Sequence, residues 1–188
     1  DLPSTAKEVL VDEQSFIELA QTENPQGVLA VMRRPETEEV LRGNCVLVLD
    51  RLANPGNVGT ILRTAWAVGL QTVVWTAGTC DPFGPKAVRA GTGAQFVRNL
   101  PQVEDLAALS QWPERTIWIG DVRDGASCFD DAFDVRTSFL VVGNEAGGSE
   151  IIAGARPVHI PMPGHAESLN VAQAATVLLF EALRREQL

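Results

Sequence analysis

Three stretches of the chain carry polar side chains in settings where chemistry can be done. The first runs from Asp50 to Thr64 and holds Asn57, Gly59 and Arg63. It reads as a strand end that opens a helix, whose first free backbone N–H groups face whatever binds there and favour an anion. Val58, Ile61, Leu62 and Ala65 recur at i, i+3, i+4 and i+7 and define the buried stripe. Arg63 lies about 150° from the centre of that stripe at roughly 100° per residue, so it projects away from the core. A solvated helix arginine with Asn57 as the helix cap accounts for the same pattern structurally.

The second stretch is the apolar run Phe139 to Val142 leading into Gly143 to Glu150, a small-residue loop with Asn144 and Glu145. Glycines at a strand end let a ligand come close to the backbone; a plain turn with Glu150 favouring the next helix start is the structural alternative. The third runs from Ile160 through Met162, Ser168 and Leu169 to Asn170. Ser168 is expected to cap the final helix. No G-x-G-x-x-G, no P-loop and no G-x-S-x-G elbow accompanies these stretches, which argues against a dinucleotide enzyme, an ATPase and a serine hydrolase.

The elements that must position these residues alternate along the chain. Strands are expected at Cys45 to Leu49, Thr72 to Trp75, Thr116 to Gly120, Ser138 to Val142 and Val158 to Ile160. Helices are expected at Asn57 to Val68, Lys86 to Ala90 (a short turn), Val103 to Gln111 and Leu169 to Arg185, with brief pairing at Phe96 to Asn99. Such alternation implies an α/β fold, a mostly parallel sheet flanked by helices. Ligands in open sheets of this kind sit in the crevice outside the strand ends. Residues 1–44 read as an appendage, with strands at Val9 to Val11 and Val28 to Met32, a helix from Glu13 to Gln21 with Phe16, Ile17 and Ala20 inward, and a linker from Arg33 to Gly43. The start lacks an initiator Met, so residues upstream are expected to have been removed.

The 188 residues are 45% apolar and 21% charged, enough for one sizeable domain. The apolar run within Val171 to Phe180 is too short to span a bilayer, and the first residues do not form a signal peptide. Three dispersed cysteines and two histidines, His159 and His165, fit a reducing cytoplasm and no metal site. A net charge of −9 weighs against nucleic acid, whose binding rests on phosphate neutralisation, unless a basic cluster acts locally. The final helix is apolar on nearly every face, so it is expected to be buried in the core or against a second subunit.

Taken together, Asn57-x-Gly59-x-x-x-Arg63, Gly143-x-Glu145-x-x-Gly148, and Ile160-Pro161-Met162 with Gly164 and Ser168-Leu169-Asn170-Val171 resemble the SpoU family of RNA 2′-O-ribose methyltransferases, a branch of the SPOUT superfamily. The resemblance covers about Cys45 to Arg185. Residues 45–188 would then be the catalytic domain, and 1–44 the remnant of an N-terminal substrate-binding domain plus a linker. The resemblance implies a C-terminal trefoil knot, S-adenosyl-L-methionine as methyl donor, a homodimer with the final helix in its interface, and transfer or ribosomal RNA as acceptor. It implies catalytic roles for Arg63, Asn57, Glu145, Ser168 and Asn170. Cofactor contacts would fall at Gly143, Ile160 and Leu169, with Asn144, Met162 and Ser168 beside them. The chain departs from the family pattern at Asn54, where an acidic residue is usual, and at Gly91-Thr92. A non-catalytic nucleotide-binding protein, a knotted base-nitrogen methyltransferase and a scaffold module are the competing readings; nucleoside mass spectrometry separates them.

Overall fold

A computed structural model of the chain describes residues 6–20, 24–38, 40–121, 124–143 and 152–188. The chain divides into two compact units, 1–34 and 35–188. In the first unit, helix α1 (Glu13–Ala20) forms as expected, with no buried residue. Ile17, expected to face inward, is 51% exposed. Val9 to Val11 and Val28 to Met32 are not strands, and their apolar side chains are exposed. A lone extended segment has no ladder for its backbone groups, so β-propensity alone does not make a strand.

The second unit is built on a seven-stranded, all-parallel sheet. Its strands are β1 (Cys45–Asp50), β2 (Val73–Thr76), β3 (Gln102–Val103), β4 (Thr116–Asp121), β5 (Ala126–Ser127), β6 (Ser138–Gly143) and β7 (Arg156–His159). They lie in the order β3-β2-β1-β6-β4-β7-β5. All six residues of β1 are buried, which is why its sequence is a continuous apolar run rather than an alternation. Cys45, Leu47 and Leu49 face one core cluster, and Val46 and Val48 face the other. Helices α2 (Pro55–Ala67) and α4 (Val171–Arg184) cover the first face.

The opposite face is covered by the 3₁₀ segment Leu106–Gln111, not by the α-helix expected from Val103 onward. The sheet takes Val103 by pairing it with Thr76. The Asp105 side chain then caps the segment by accepting from the Ala108 N–H at 3.2 Å. The two-residue strands β3 and β5 were not legible in the pattern, since a period of two needs a longer run to show.

Helix α3 (Pro85–Gly91) lies against α2 at Gly59. A Cβ at Gly59 would come within 2.3 Å of the Ala87 carbonyl oxygen and 2.8 Å of the Gly91 nitrogen, both backbone atoms. The glycine therefore sets how closely the two helices approach.

The last turn of α4 is tied down by charge. Glu181 is buried and accepts from Arg184 Nε at 2.8 Å and Arg185 Nε at 2.6 Å. Arg185 also donates to the Asp130 carbonyl at 2.8 Å, joining the helix end to the segment after β5. The hydrogen bonds from Arg184 and then Arg185 hold the Glu181 carboxyl down at about 2, from an ordinary 4.5.

Two outcomes follow for stability. Gly59→Ala is expected to lower unfolding free energy by about 1–3 kcal/mol in urea titrations, despite alanine's better helix propensity, because backbone must move. A depressed carboxylate stabilises the fold above its unfolded pKa and loses that contribution as pH falls through the folded one. Denaturation midpoints should therefore drop between about pH 4.5 and 2, and Glu181→Gln should make that drop shallower.

Candidate functional site

The site begins with register. β1 and β6 pair in parallel along their whole length, and their last residues, Asp50 and Gly143, stand opposite each other. The strand ends from which the first and second stretches continue are therefore side by side. Gly143 has little room on its Asp50 side: a Cβ there would lie 3.2 Å from the Asp50 carbonyl oxygen and 3.3 Å from its Cβ. Asp50 is itself buried, accepting from Thr76 Oγ1 at 2.8 Å and Arg51 Nε at 3.0 Å. Thr79 adds a second pin, donating to the Leu49 carbonyl at 3.1 Å and accepting from the Leu52 N–H. These hydrogen bonds fix the path of the chain from β1 into α2.

The caps differ from those expected. Asn54, not Asn57, caps α2: its Oδ1 accepts from the Gly56 N–H at 2.8 Å and the Asn57 N–H at 3.3 Å. An Asn directly before a Pro at the first helical position was a readable signal. Asn57, inside the first turn, is thereby left to use its side chain elsewhere. Asn170, not Ser168, caps α4, accepting from the Ala172 N–H at 2.9 Å. Ser168 is two residues too early, and its side chain is exposed. The Asn170 amide nitrogen donates to Asn57 Oδ1 at 3.1 Å. One side chain thus caps the last helix and ties the third stretch to the first. Farther along, Thr64 Oγ1 and Thr176 Oγ1 are 3.2 Å apart between the same two helices.

Around Gly143 lies a crevice with two lobes. One is narrow and mainly apolar, lined by Gly143, Ile160, Met162, Ser168 and Leu169 together with Val142, Val158 and Leu178, and by Asp121 at the end of β4. The other, of about 350 Å³, is lined by Asn54, Asn57, Gly143, Ser168, Leu169 and Asn170. That volume is in the range of small-molecule sites, and an apolar lobe beside a polar one suits a ligand with a flat ring at one end and a polar end at the other. S-adenosylmethionine is such a molecule, and the residues present fit it.

The structure thus brings together Asn57, Ser168, Asn170, Gly143, Ile160, Met162 and Leu169. Arg63 is not among the lining residues of either lobe. It is exposed, six residues beyond Asn57 on α2 and so about 9 Å farther along the axis. Among the described residues no hydrogen bond or ion pair holds its guanidinium. Asn144, Glu145 and Gly148 lie outside the described residues. Asp121, which lines the apolar lobe, was missed by sequence reasoning, as were the supporting roles of Asp50, Thr76 and Thr79 behind the start of α2; only the sheet brings these residues into place. Burial pushes the Cys45 thiol up to about 12 and that of Cys128 to about 11, so neither offers a thiolate at neutral pH.

A parallel sheet with a ligand crevice at its strand ends, and three sequence stretches converging on it, define a class of cofactor-binding α/β protein. The chain belongs to the SpoU rRNA Methylase family, whose model matches residues 44–180. It is 34% identical over 189 residues to the 23S rRNA (guanosine(2553)-2′-O)-methyltransferase RlmP of Bacillus subtilis, covering 96% of this chain and 74% of that one. Among solved structures it is similar to the SpoU methyltransferase AviRb from Streptomyces viridochromogenes, in complex with the cofactor AdoMet. That match has a TM-score of 0.69 and 32% identity, and covers 77% of this chain and 62% of AviRb. The AdoMet-bound rRNA methyltransferase from Sinorhizobium meliloti matches with a TM-score of 0.72 and 29% identity, over 94% of this chain and 71% of that one.

Mutation distinguishes the two candidate caps of α4. Asn170→Ala should cost about 1 kcal/mol of unfolding free energy, the usual worth of an N-cap, whereas Ser168→Ala should change it by less than about half that. Urea denaturation of the two variants measures both.

Proposed function

We propose that this protein transfers a methyl group from S-adenosylmethionine to a ribose 2′-hydroxyl of structured RNA, with ribosomal RNA the favoured acceptor. The single observation that carries this reading is the crevice itself. Residues from all three stretches form its walls, in a chain whose family and named relatives are RNA 2′-O-methyltransferases. A purely nucleotide-binding protein has no need of Asn57, Arg63, Glu145, Ser168 and Asn170 as a set.

The donor, when bound, supplies an electrophilic methyl group on a sulfonium. The chain's own residues have to bind and orient the acceptor and stabilise charge. A ribose hydroxyl is a very weak acid, so the developing negative oxygen needs stabilisation. Arg63 has the right chemistry for this. A guanidinium is a permanent cation with five donors and no acceptor, so it acts by holding a phosphate and the forming alkoxide rather than by accepting a proton. Asn57, held by Asn170, orients the ribose; Ser168 and Glu145 orient the acceptor. Asn170 holds the donor loop against α2. Gly143, Ile160 and Leu169 offer backbone groups to the donor, with Asn144 and Met162 beside them.

The same reading includes a trefoil knot, a homodimer, a cytoplasmic location and no resident metal. In favour of the knot, β7 lies between β4 and β5, so the chain leaving it toward α4 runs among earlier segments. In favour of the dimer, α4 buries one face and leaves Phe180 49% and Leu183 42% exposed on the other. Three free cysteines fit a reducing compartment. The resemblance also divides the chain into residues 45–188 as the catalytic domain and 1–44 as part of a substrate-binding module with its linker.

Arg63→Ala should abolish methyl transfer while leaving S-adenosylmethionine affinity within about a few-fold, since a group acting on the acceptor and the transition state contributes little to binding of the donor. Nucleoside mass spectrometry of RNA incubated with protein and donor, paired with calorimetric titration of the donor, checks both halves. Unchanged turnover by the variant would remove Arg63 from the mechanism.

A further inference from the structure

Among the described residues, the apolar lobe of the crevice has one charged side chain in its lining, and it belongs to none of the three motif stretches. Among the described residues lining either lobe, Asp121 alone is ionisable. It is the last residue of β4, stands opposite His159 of β7 in the ladder, and is exposed. Its Oδ1 accepts from the Asp124 N–H at 3.0 Å, which sets the carboxylate at the strand end.

A carboxylate only accepts hydrogen bonds, so what it recognises in a ligand is a hydroxyl or an ammonium group. Position decides between them. Val142, Val158 and Leu178 make this lobe suitable for a flat, apolar base, whereas Asn57 and Asn170 line the other lobe, toward which a transferable methyl must point. The part of a nucleoside donor lying between base and methyl is its sugar, with two vicinal hydroxyls. In dinucleotide-binding parallel sheets an acidic side chain accepts from a ribose hydroxyl, and the same chemistry is open to a carboxylate here.

We propose that Asp121 is a donor-binding residue that accepts hydrogen bonds from the ribose hydroxyls of S-adenosylmethionine; this rests on the donor assignment made above.

The test is calorimetric titration of the full chain and of Asp121→Asn with two ligands, S-adenosylhomocysteine and 5′-methylthioadenosine. The first carries ribose and amino-acid tail, the second ribose without the tail. Asparagine keeps an oxygen for the Asp124 N–H, and an unchanged thermal midpoint verifies that the turn survives. The variant is expected to bind both ligands roughly tenfold more weakly, the usual scale for losing a hydrogen bond to a charged group. Loss confined to S-adenosylhomocysteine would assign the carboxylate to the tail ammonium and overturn the proposal, as would affinities within about twofold of the original for both ligands. If the unaltered protein bound neither ligand, the donor assignment itself would fall, an outcome distinct from failure at Asp121.

Discussion

The parallel pairing of β1 with β6 runs from Cys45 opposite Ser138 to Asp50 opposite Gly143 without a slip. Every other feature of the crevice depends on that register. A shift of one residue would turn each side chain of a doubly buried strand to the other face, exchanging the Cys45, Leu47 and Leu49 set with Val46 and Val48. It would also move Gly143 away from Asp50. The two apolar strands therefore do two jobs. They bury the centre of the sheet, and they bring the strand ends Asp50 and Gly143 to the same point in space.

What happens beyond the strand ends is governed by short polar contacts. Thr76 and Thr79 reach back from the β2 side to hold Asp50, Arg51 and Leu52. Asn54 starts α2, Asn170 starts α4, and the Asn170 side chain also bridges to Asn57. The bridge spans more than a hundred residues of sequence, 113 in all, and connects two helix starts that face one crevice. At the other end of α4, the Glu181–Arg184–Arg185 cluster and the Arg185 bond to Asp130 prevent the helix from drifting off the sheet. Both ends of the helix are thus anchored, so the loop before it is held in place.

Part of this was legible from residue order. The doubly buried strands, the stripe on α2 and the three motif stretches follow from periodicity and residue type, and the fold class follows from their alternation. Other features were not legible, for identifiable reasons. The expected strands at Val9 to Val11 and Val28 to Met32 had the composition but no partner to pair with. Val103 had helical neighbours but was drawn into the sheet by Thr76. Ser168 is a good cap residue by type, yet the helix starts two residues later, where Asn170 can serve both the Ala172 N–H and Asn57.

Sequence by itself determined which segments are apolar enough to be central strands, where the glycine-bearing loops fall, and the family to which those motifs belong. These are local properties, set by side-chain volume, polarity and backbone freedom within a few residues. Only the tertiary structure decided that Asn57 meets Asn170, that Gly59 is the contact point of two helices, and that Asp121 enters the crevice. Each of those depends on the sheet order β6-β4-β7 or on the approach of helices distant in sequence. Such neighbours are fixed by the free energy of packing the whole unit, which no short window of residues encodes.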